Sequence, residues 1–402
     1  MGLWLQGHLG IACLALLLIA QRGGASGVPP SQSDRKASPS RSNPPSPALD
    51  ALFAEADRAL RVGPFSVMEK ELVPPSGDKH DYMSIGPYWW PDPQQPSGLP
   101  YIRRDGERNP EHDTSRTDSH ALHALFPSVQ TLALAYRESG DERYAAHAAE
   151  LLRVWFLKPA TKMNPNLNYG QAIAGRVEGR GTGIIETRGL SSLTSALTWL
   201  SKSKAWTESD QQGMKEWLSQ YLDWLLTSKN GLQEAAARNN HGSWYDVQVA
   251  SLALFNGDRD RARRVIEEAK SKRIAVQIEP DGRQPLELAR TLSFSYSLFN
   301  LQALFDLAEL GDKVGVDLWH FKTADGRSLR AALDLLAPYV DPTKKWPHQQ
   351  IHPIALDDRL SLAALLRRAA LVYHEPRYEQ LLTRLPAKEL RANRLQILWP
   401  RA

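Results

Sequence analysis

Along most of the chain, apolar residues recur at three- and four-residue intervals, the period that lines one face of an α-helix. The pattern begins at Leu49, Leu52, Phe53, Ala56 and Leu60. It predicts helices over His120–Glu138, Glu142–Phe156, Ser191–Ser201, Glu208–Leu226, Tyr245–Phe255, Arg259–Lys270 and Ser297–Leu310, then over Ser328–Leu336, Asp357–Tyr373 and Arg377–Leu382. Brief turns join them, and three joints share a Gly-Asp pair: Ser139-Gly-Asp141, Asn256-Gly-Asp258 and Leu310-Gly-Asp312. In the first two, Gly suits the left-handed end of one helix and Asp the N-cap of the next. The third reads as a helix end that enters a longer loop. Sustained β alternation is scarce, so the expectation is an all-α array of helical hairpins, either a solenoid or an α/α toroid. A weak repeat and polar interhelical loops favour the toroid.

One stretch breaks the pattern. Pro74-Pro75, Gly86-Pro87, Pro91, Pro93, Pro96 and Pro100 exclude long helices, yet the same stretch carries Tyr82, Tyr88, Trp89, Trp90 and Tyr101. Such a density of rings fits either a binding surface or a loop packed on the helical body. At the N-terminus, the apolar run Leu9–Ala20 followed by Gly23-Gly-Ala25 reads as a secretory signal over residues 1–25, with an uncleaved anchor as the alternative. Residues 26–48 are dominated by Pro and Ser and read as a linker. Residues 49–402 are then one domain.

Composition narrows the partners. With 42% apolar residues in 402, the chain can bury a large core. Cleavage after Ala25 would remove the only cysteine, Cys13, so the exported protein would need no disulfide. The formal charge of +4 is mild and no Lys/Arg block stands out, which argues against nucleic acid. A periplasmic or secreted protein without a stable membrane anchor is expected.

The candidate chemistry lies in polar stretches expected to be interhelical: Met163–Arg176, Glu178–Arg188, Arg238–Asp246 and Glu279–Tyr296. Asn239-Asn240-His241 and Trp244-Tyr245 concentrate amides, an imidazole and rings in a few residues, with Glu234 nearby. Arg290 and Tyr296 add a fixed cation and a phenol. Taken singly, His241 could be a hydrogen-bonded core histidine and Tyr296 a core ring; together they suggest acid/base work on a polar, anionic substrate. Asn164, Asn166, Asn168, Tyr169 and Gln171 suit sugar hydroxyls, or the Asn residues serve turns. The run Gly179–Gly183 looks like a phosphate loop but lacks the Gly-Lys-Ser/Thr ending and a preceding strand. No HExxH or Cys/His spacing occurs, so no metal and no cofactor is expected.

The set Asn239-Asn240-His241, Trp244-Tyr245, Arg290 and Tyr296 resembles the alginate lyase-like domain of the polysaccharide lyases. Tyr88-Trp89-Trp90-Pro91-Asp92-Pro93, Met163-Asn-Pro-Asn-Leu-Asn-Tyr-Gly-Gln171 and Glu186-Thr187-Arg188 extend the resemblance over Tyr82 to Trp346. It implies an incomplete α/α toroid with a cleft for an anionic polysaccharide or oligouronate, cleaved by β-elimination. It also implies roles: His241 as base, Tyr296 as acid, Asn240 and Arg290 neutralising the substrate carboxylate, and Asn239, Trp89, Trp90, Tyr169, Gln171, Glu186, Arg188 and Glu287 binding substrate. For syn elimination Tyr296 would make both proton transfers. Two alternatives stay open. A toroidal glycoside hydrolase would use carboxyls among Glu186, Asp246, Asp281 and Glu287; a noncatalytic polyuronate-binding protein would use Trp89 and Trp90 as stacking platforms.

Overall fold

A computed structural model describes residues 46–401. The expected signal segment 1–25 and all but the last three residues of the expected linker lie outside the described residues. The first helix, α1 (Pro47–Ala59), starts two residues before the expected boundary at 49, with Pro47 at a position where its missing N–H costs nothing. A stretch of loops and short strands follows: β1 (Met83–Ile85), β2 (Trp89–Trp90) and β3 (Ile102–Arg103). Next come α2 (Ser119–Ser139) and α3 (Glu142–Leu152), then β4 (Tyr169–Ala172). The remaining helices are α4 (Leu190–Leu200), α5 (Glu208–Thr227), α6 (Lys229–Ala235), α7 (Asn240–Asn256), α8 (Arg259–Ala269) and the short α9 (Ala275–Gln277). After these come α10 (Pro285–Leu288), α11 (Ser293–Val314), α12 (Leu329–Leu336), α13 (Leu356–Val372), α14 (Pro376–Leu381), α15 (Ala387–Ala392) and α16 (Leu395–Leu398).

The helices α2, α4, α7, α11 and α13 pack one against the next to form an inner row, and α3, α5, α8 and α12 back them from outside. This is the incomplete α/α toroid. Helix α7 runs through its centre and is buried from Gly242 to Ala253 without a solvent face. That explains a misread boundary. A helix buried on every side shows no amphipathic stripe, so the sequence pattern places its start at Tyr245, whereas Asn239 caps it and Asn240 is its first residue. The stretch 238–246 is therefore mostly helix rather than loop. The joints at Gly140 and Gly257 are as expected, with Asp141 and Asp258 capping the next helices. The third is not: α11 runs through a buried Gly311 and ends at Gly315.

Strand β1 pairs in parallel with β4, and β2 pairs antiparallel with β3. These pieces make residues 82–113 a strap laid over one end of the toroid, where α7 and α11 begin. No helix among the described residues is long and apolar enough to cross a membrane.

Candidate active site

Two inner helices present their N-terminal turns to the strap, and most of the expected chemistry sits there. Asn239 accepts the His241 N–H with its side chain at 3.2 Å, starting α7 in the way Asn caps do. The carboxylate of Glu287, on α10, completes the cap: Oε1 accepts the Asn240 N–H at 2.6 Å and Oε2 accepts its side-chain Nδ2–H at 2.7 Å. A negative group at a helix N-terminus is favourable. Burial nevertheless pushes the Glu287 carboxyl up, with the Asn240 hydrogen bonds and the charges of Arg290 and His241 opposing. Gly242 follows because nothing larger fits: a Cβ there would lie 2.1 Å from the Ala237 oxygen and 2.4 Å from Arg273 Nη1. Arg273 in turn pairs with Asp246 and donates to the carbonyls of Ala235 and Ala237, tying the end of α6 to α7.

That tie brings α6 to the site. Glu234, 1% exposed, lies 2.6 Å from His241 Nδ1, while His241 is half-buried. In the neutral imidazole, a proton held on Nδ1 by the carboxylate leaves Nε2 as the acceptor. Sequence spacing hinted at Glu234, which precedes His241 by seven residues, but only the helical turn between them shows the pairing.

Tyr296 stands in the first turn of α11, and its hydroxyl donates to the Tyr88 hydroxyl at 2.7 Å. The phenol is held well above its ordinary pKa, first by burial and then by Tyr88, against the pull of Arg290. Arg290 precedes α11, and its Cζ lies 3.7 Å from the Tyr296 ring centroid. The same guanidinium grips Asp105 of the strap through Nε at 3.0 Å and Nη2 at 2.6 Å. Burial alone would raise the Asp105 carboxyl, but Arg290, the Thr291 N–H and Arg103 outweigh it and hold it at about 2. Neither Tyr88 nor Asp105 was singled out from sequence as a partner of this cluster. Behind the helix starts, a buried network of Ser243, Gln277, Asn300 and Gln284 joins α7 to α11 and fixes their relative position.

Several residues expected to bind substrate are placed otherwise. Glu287 is 1% exposed and committed to Asn240. Glu186 is 3% exposed and accepts from Tyr82 at 2.6 Å and Ser84 at 2.7 Å, anchoring the strap. Gln171 is buried, with its backbone and side-chain oxygens both accepting from Arg180. Arg188 donates to the Ile185 carbonyl and lies over Phe299. Trp89 has Arg176 and Arg180 near its ring and Trp90 has Arg104, so cations already lie by the rings that were expected to stack on sugar. Tyr169 is half-buried on β4, in register with Met83. Asn164 and Asn166 hold Asp78 and Asp81, and Asn168 accepts from Trp224, so these amides support loops. Trp244 and Tyr245 are core: the first packs on Phe299 and the second donates to Leu225.

The carboxyls that hydrolysis would need are also engaged. Asp246 is bound by Arg273 and Asp281 by Arg283, in addition to the commitments of Glu186 and Glu287. Among the described residues one ligand-type group appears that sequence spacing did not reveal: His112, Asp113 and His123 gather with their ligand atoms within 4.8 Å of one another. Arg108 binds both oxygens of Asp113, so that carboxylate already has a cation.

The family model for alginate lyase matches residues 66–346. Among solved structures, an alginate lyase from Bacteroides ovatus is 44% identical, covering 88% of this chain and 93% of its own, with a TM-score of 0.84. Alginate lyase A1-III, solved with a tetrasaccharide, is 16% identical over 80% of this chain and 87% of that one, with a TM-score of 0.50, a likeness of fold alone. No curated protein matches the chain.

Proposed function

Because the chain belongs to the alginate lyase family and is thereby a polysaccharide lyase, we propose that it cleaves a uronate-containing polymer, alginate or a glucuronan-like chain, by β-elimination. The observation that carries this reading is the pair Glu234 and His241, which leaves one imidazole nitrogen as proton acceptor on a helix packed against the one that carries the buried phenol of Tyr296.

The C5 proton of a uronate is poorly acidic because its departure loads charge onto a C6 carboxylate that is already anionic. On this reading Asn240, buried with one Nδ2 hydrogen given to Glu287, offers the other to that group, and Asn239 at the start of the helix assists. Preorganised donors of this kind stabilise the enediolate-like state without reorganising at the moment of reaction. His241 Nε2 takes the C5 proton, a C4–C5 double bond forms, the C4–O4 bond breaks, and the leaving O4 takes the Tyr296 proton. The raised pKa keeps Tyr296 protonated at neutral pH, which suits the acid rather than the base. Arg290, against its ring, stabilises the phenolate that results. His241 then releases its proton to solvent and the Tyr296 phenolate takes one up, which restores both groups. The new chain end is a 4,5-unsaturated uronate.

The test is a panel of mannuronate blocks, guluronate blocks and glucuronan, read by ultraviolet absorbance and product mass. Absorbing, unsaturated ends are expected. Saturated reducing ends from the same polymers would mean hydrolysis, and tight binding of oligouronate with no cleavage across pH would mean a binding protein. The same reading takes residues 1–25 as an export signal, supported by the apolar run Leu9–Ala20 and the small residues after it. N-terminal sequencing of the exported protein should begin after Ala25, and a mature chain starting at Met1 would overturn that.

A further inference from the structure

Two arginines near the site are in opposite circumstances. Arg290 is matched by Asp105 through three short contacts. Arg180 has no such match: Nε donates to the Gln171 carbonyl at 3.0 Å and Nη2 to the Gln171 side-chain oxygen at 2.8 Å, and both acceptors are neutral. Among the described residues no carboxylate forms an ion pair with it. Burial lowers its pKa to about 10, Arg103 pushes the same way, and the more distant charges of Glu186 and Glu234 do not offset them. Arginine stays charged regardless, and a partly desolvated cation without a counter-charge is costly to maintain.

The surroundings are built around this guanidinium. Gln171 takes a left-handed backbone, φ 49°, unusual for a residue with a side chain, and in that conformation both of its oxygens meet Arg180. Its N–H is held by Ser84 Oγ at 2.7 Å, and Ser84 is held by Glu186, so the buried carboxylate expected to bind substrate is the root of a chain that ends at Arg180. Trp89 lies beside it, with Arg180 Cζ at 5.8 Å and Arg176 Cζ at 5.6 Å from the ring centroid. Gly86 permits the close approach, because a Cβ there would lie 2.5 Å from Trp89 and 3.1 Å from Arg180 Nη2. Next in the chain, the Gly181 N–H donates to Gln233 at 3.0 Å, tying this turn to the residue before Glu234. Arg180 is therefore tied through Gly181 to the helix that carries Glu234, the partner of His241, and it is only partly exposed, with Nη1 uncommitted.

We propose that Arg180, fixed by Gln171 and Trp89, is the receptor for the carboxylate of the uronate residue flanking the one that is cleaved, with Arg176 extending the same positive rail. The assignment rests on the lyase reading. It gives the site a reason to prefer a polymer charged at consecutive residues over one with isolated uronates, because the planar guanidinium fork matches a second carboxylate.

The experiment measures kcat and KM of wild type, Arg180→Gln and Arg180→Lys on whichever polyuronate wild type cleaves, over a series of NaCl concentrations. A lost charge-assisted contact predicts a KM about tenfold to a hundredfold higher for Arg180→Gln, with kcat within about threefold. Arg180→Lys, which keeps the charge without the fork, should fall between. The rise of KM with salt should be shallower in Arg180→Gln, because one screened attraction has been removed. A KM within twofold of wild type with an unchanged salt dependence would overturn the proposal, as would a loss confined to kcat, which would mean contact with the reacting group. If Arg180→Gln does not fold, Arg180→Lys decides by the same criteria. If wild type cleaves no uronate polymer, the lyase reading fails on its own. Calorimetric titration of wild type and Arg180→Gln with an oligouronate then still tests Arg180: weaker binding by the variant supports it and equal binding overturns it.

Discussion

The contact between Glu234 and His241 decides which imidazole nitrogen is free, so the two side chains should fail differently. His241→Ala removes the base, and kcat should fall by about 10²- to 10⁴-fold, the usual worth of a positioned proton acceptor. Glu234→Gln keeps the shape but can present an N–H where the imidazole needs an acceptor; a smaller loss of kcat is expected, with KM little changed. Steady-state kinetics on the polymer that wild type cleaves checks both. Equal activity of His241→Ala and wild type would remove His241 from the mechanism. Tyr296→Phe should be as damaging as His241→Ala, because a phenylalanine ring keeps the packing against Arg290 and loses only the proton. Glu287 acts one step back. Glu287→Ala leaves the Asn240 backbone and side-chain N–H groups buried without acceptors, at about 1–3 kcal/mol each, so a lower melting temperature and a lower kcat should appear together. A variant that melts lower with unchanged kcat would mean that Glu287 only caps α7.

At the scale of elements, the strap over residues 82–113 is held to the helices by Tyr88 on Tyr296 and by Asp105 on Arg290 and Thr291. Asp105 has a depressed folded-state pKa of about 2 against an ordinary value of about 3.9, so its contribution is fully present above the unfolded value. It is lost as pH falls through the folded one. Asp105→Asn should therefore lower the melting temperature at neutral pH, and its deficit should shrink as pH falls below about 4 toward 2. Melting curves of both proteins across that range check it; a deficit independent of pH would mean that the carboxylate charge contributes nothing. These contacts also explain what the sequence could and could not reveal. Helices α3, α5 and α8 were legible because each has a wet face and a dry face, and turn chemistry marked Asp141 and Asp258 as caps. Helix α7 was legible only from Tyr245, since its first turn is capped by a carboxylate 47 residues downstream that no local pattern announces. His241 and Tyr296 stood out as chemically dense text. Their partners did not, because Tyr88 and Tyr296 are 208 positions apart and Asp105 and Arg290 are 185 apart. Residue types suggested that Glu186, Glu287 and Gln171 touch substrate; all three are buried and bonded to other side chains of the protein.

Across the whole molecule, the closure of the scaffold and the candidate chemistry fall on different parts of the chain. Helix α1 packs on α2, α15 and α16, none of which carries a residue assigned to the reaction. Arg394 links the same elements, bonding Glu55 on α1 and Thr131 on α2. The chain's two described ends thus close on each other, while the acid/base groups sit at the starts of α7 and α11, deep in the row of inner helices. A toroid left open needs such a closure to cover the apolar face of its first inner helix, and Leu52 and Ala56 of α1 are buried for that purpose. Leu52→Ala should cost about 2–5 kcal/mol through the lost methyl groups and the cavity they leave. Its kcat and KM, measured well below the melting transition, should match those of wild type, because none of the residues assigned to the reaction lies on α1, α2, α15 or α16. A Leu52→Ala protein that melts lower and turns over normally would separate the scaffold from the site. One that loses kcat while fully folded would mean that the geometry at His241 and Tyr296 depends on tension carried around the whole row of helices.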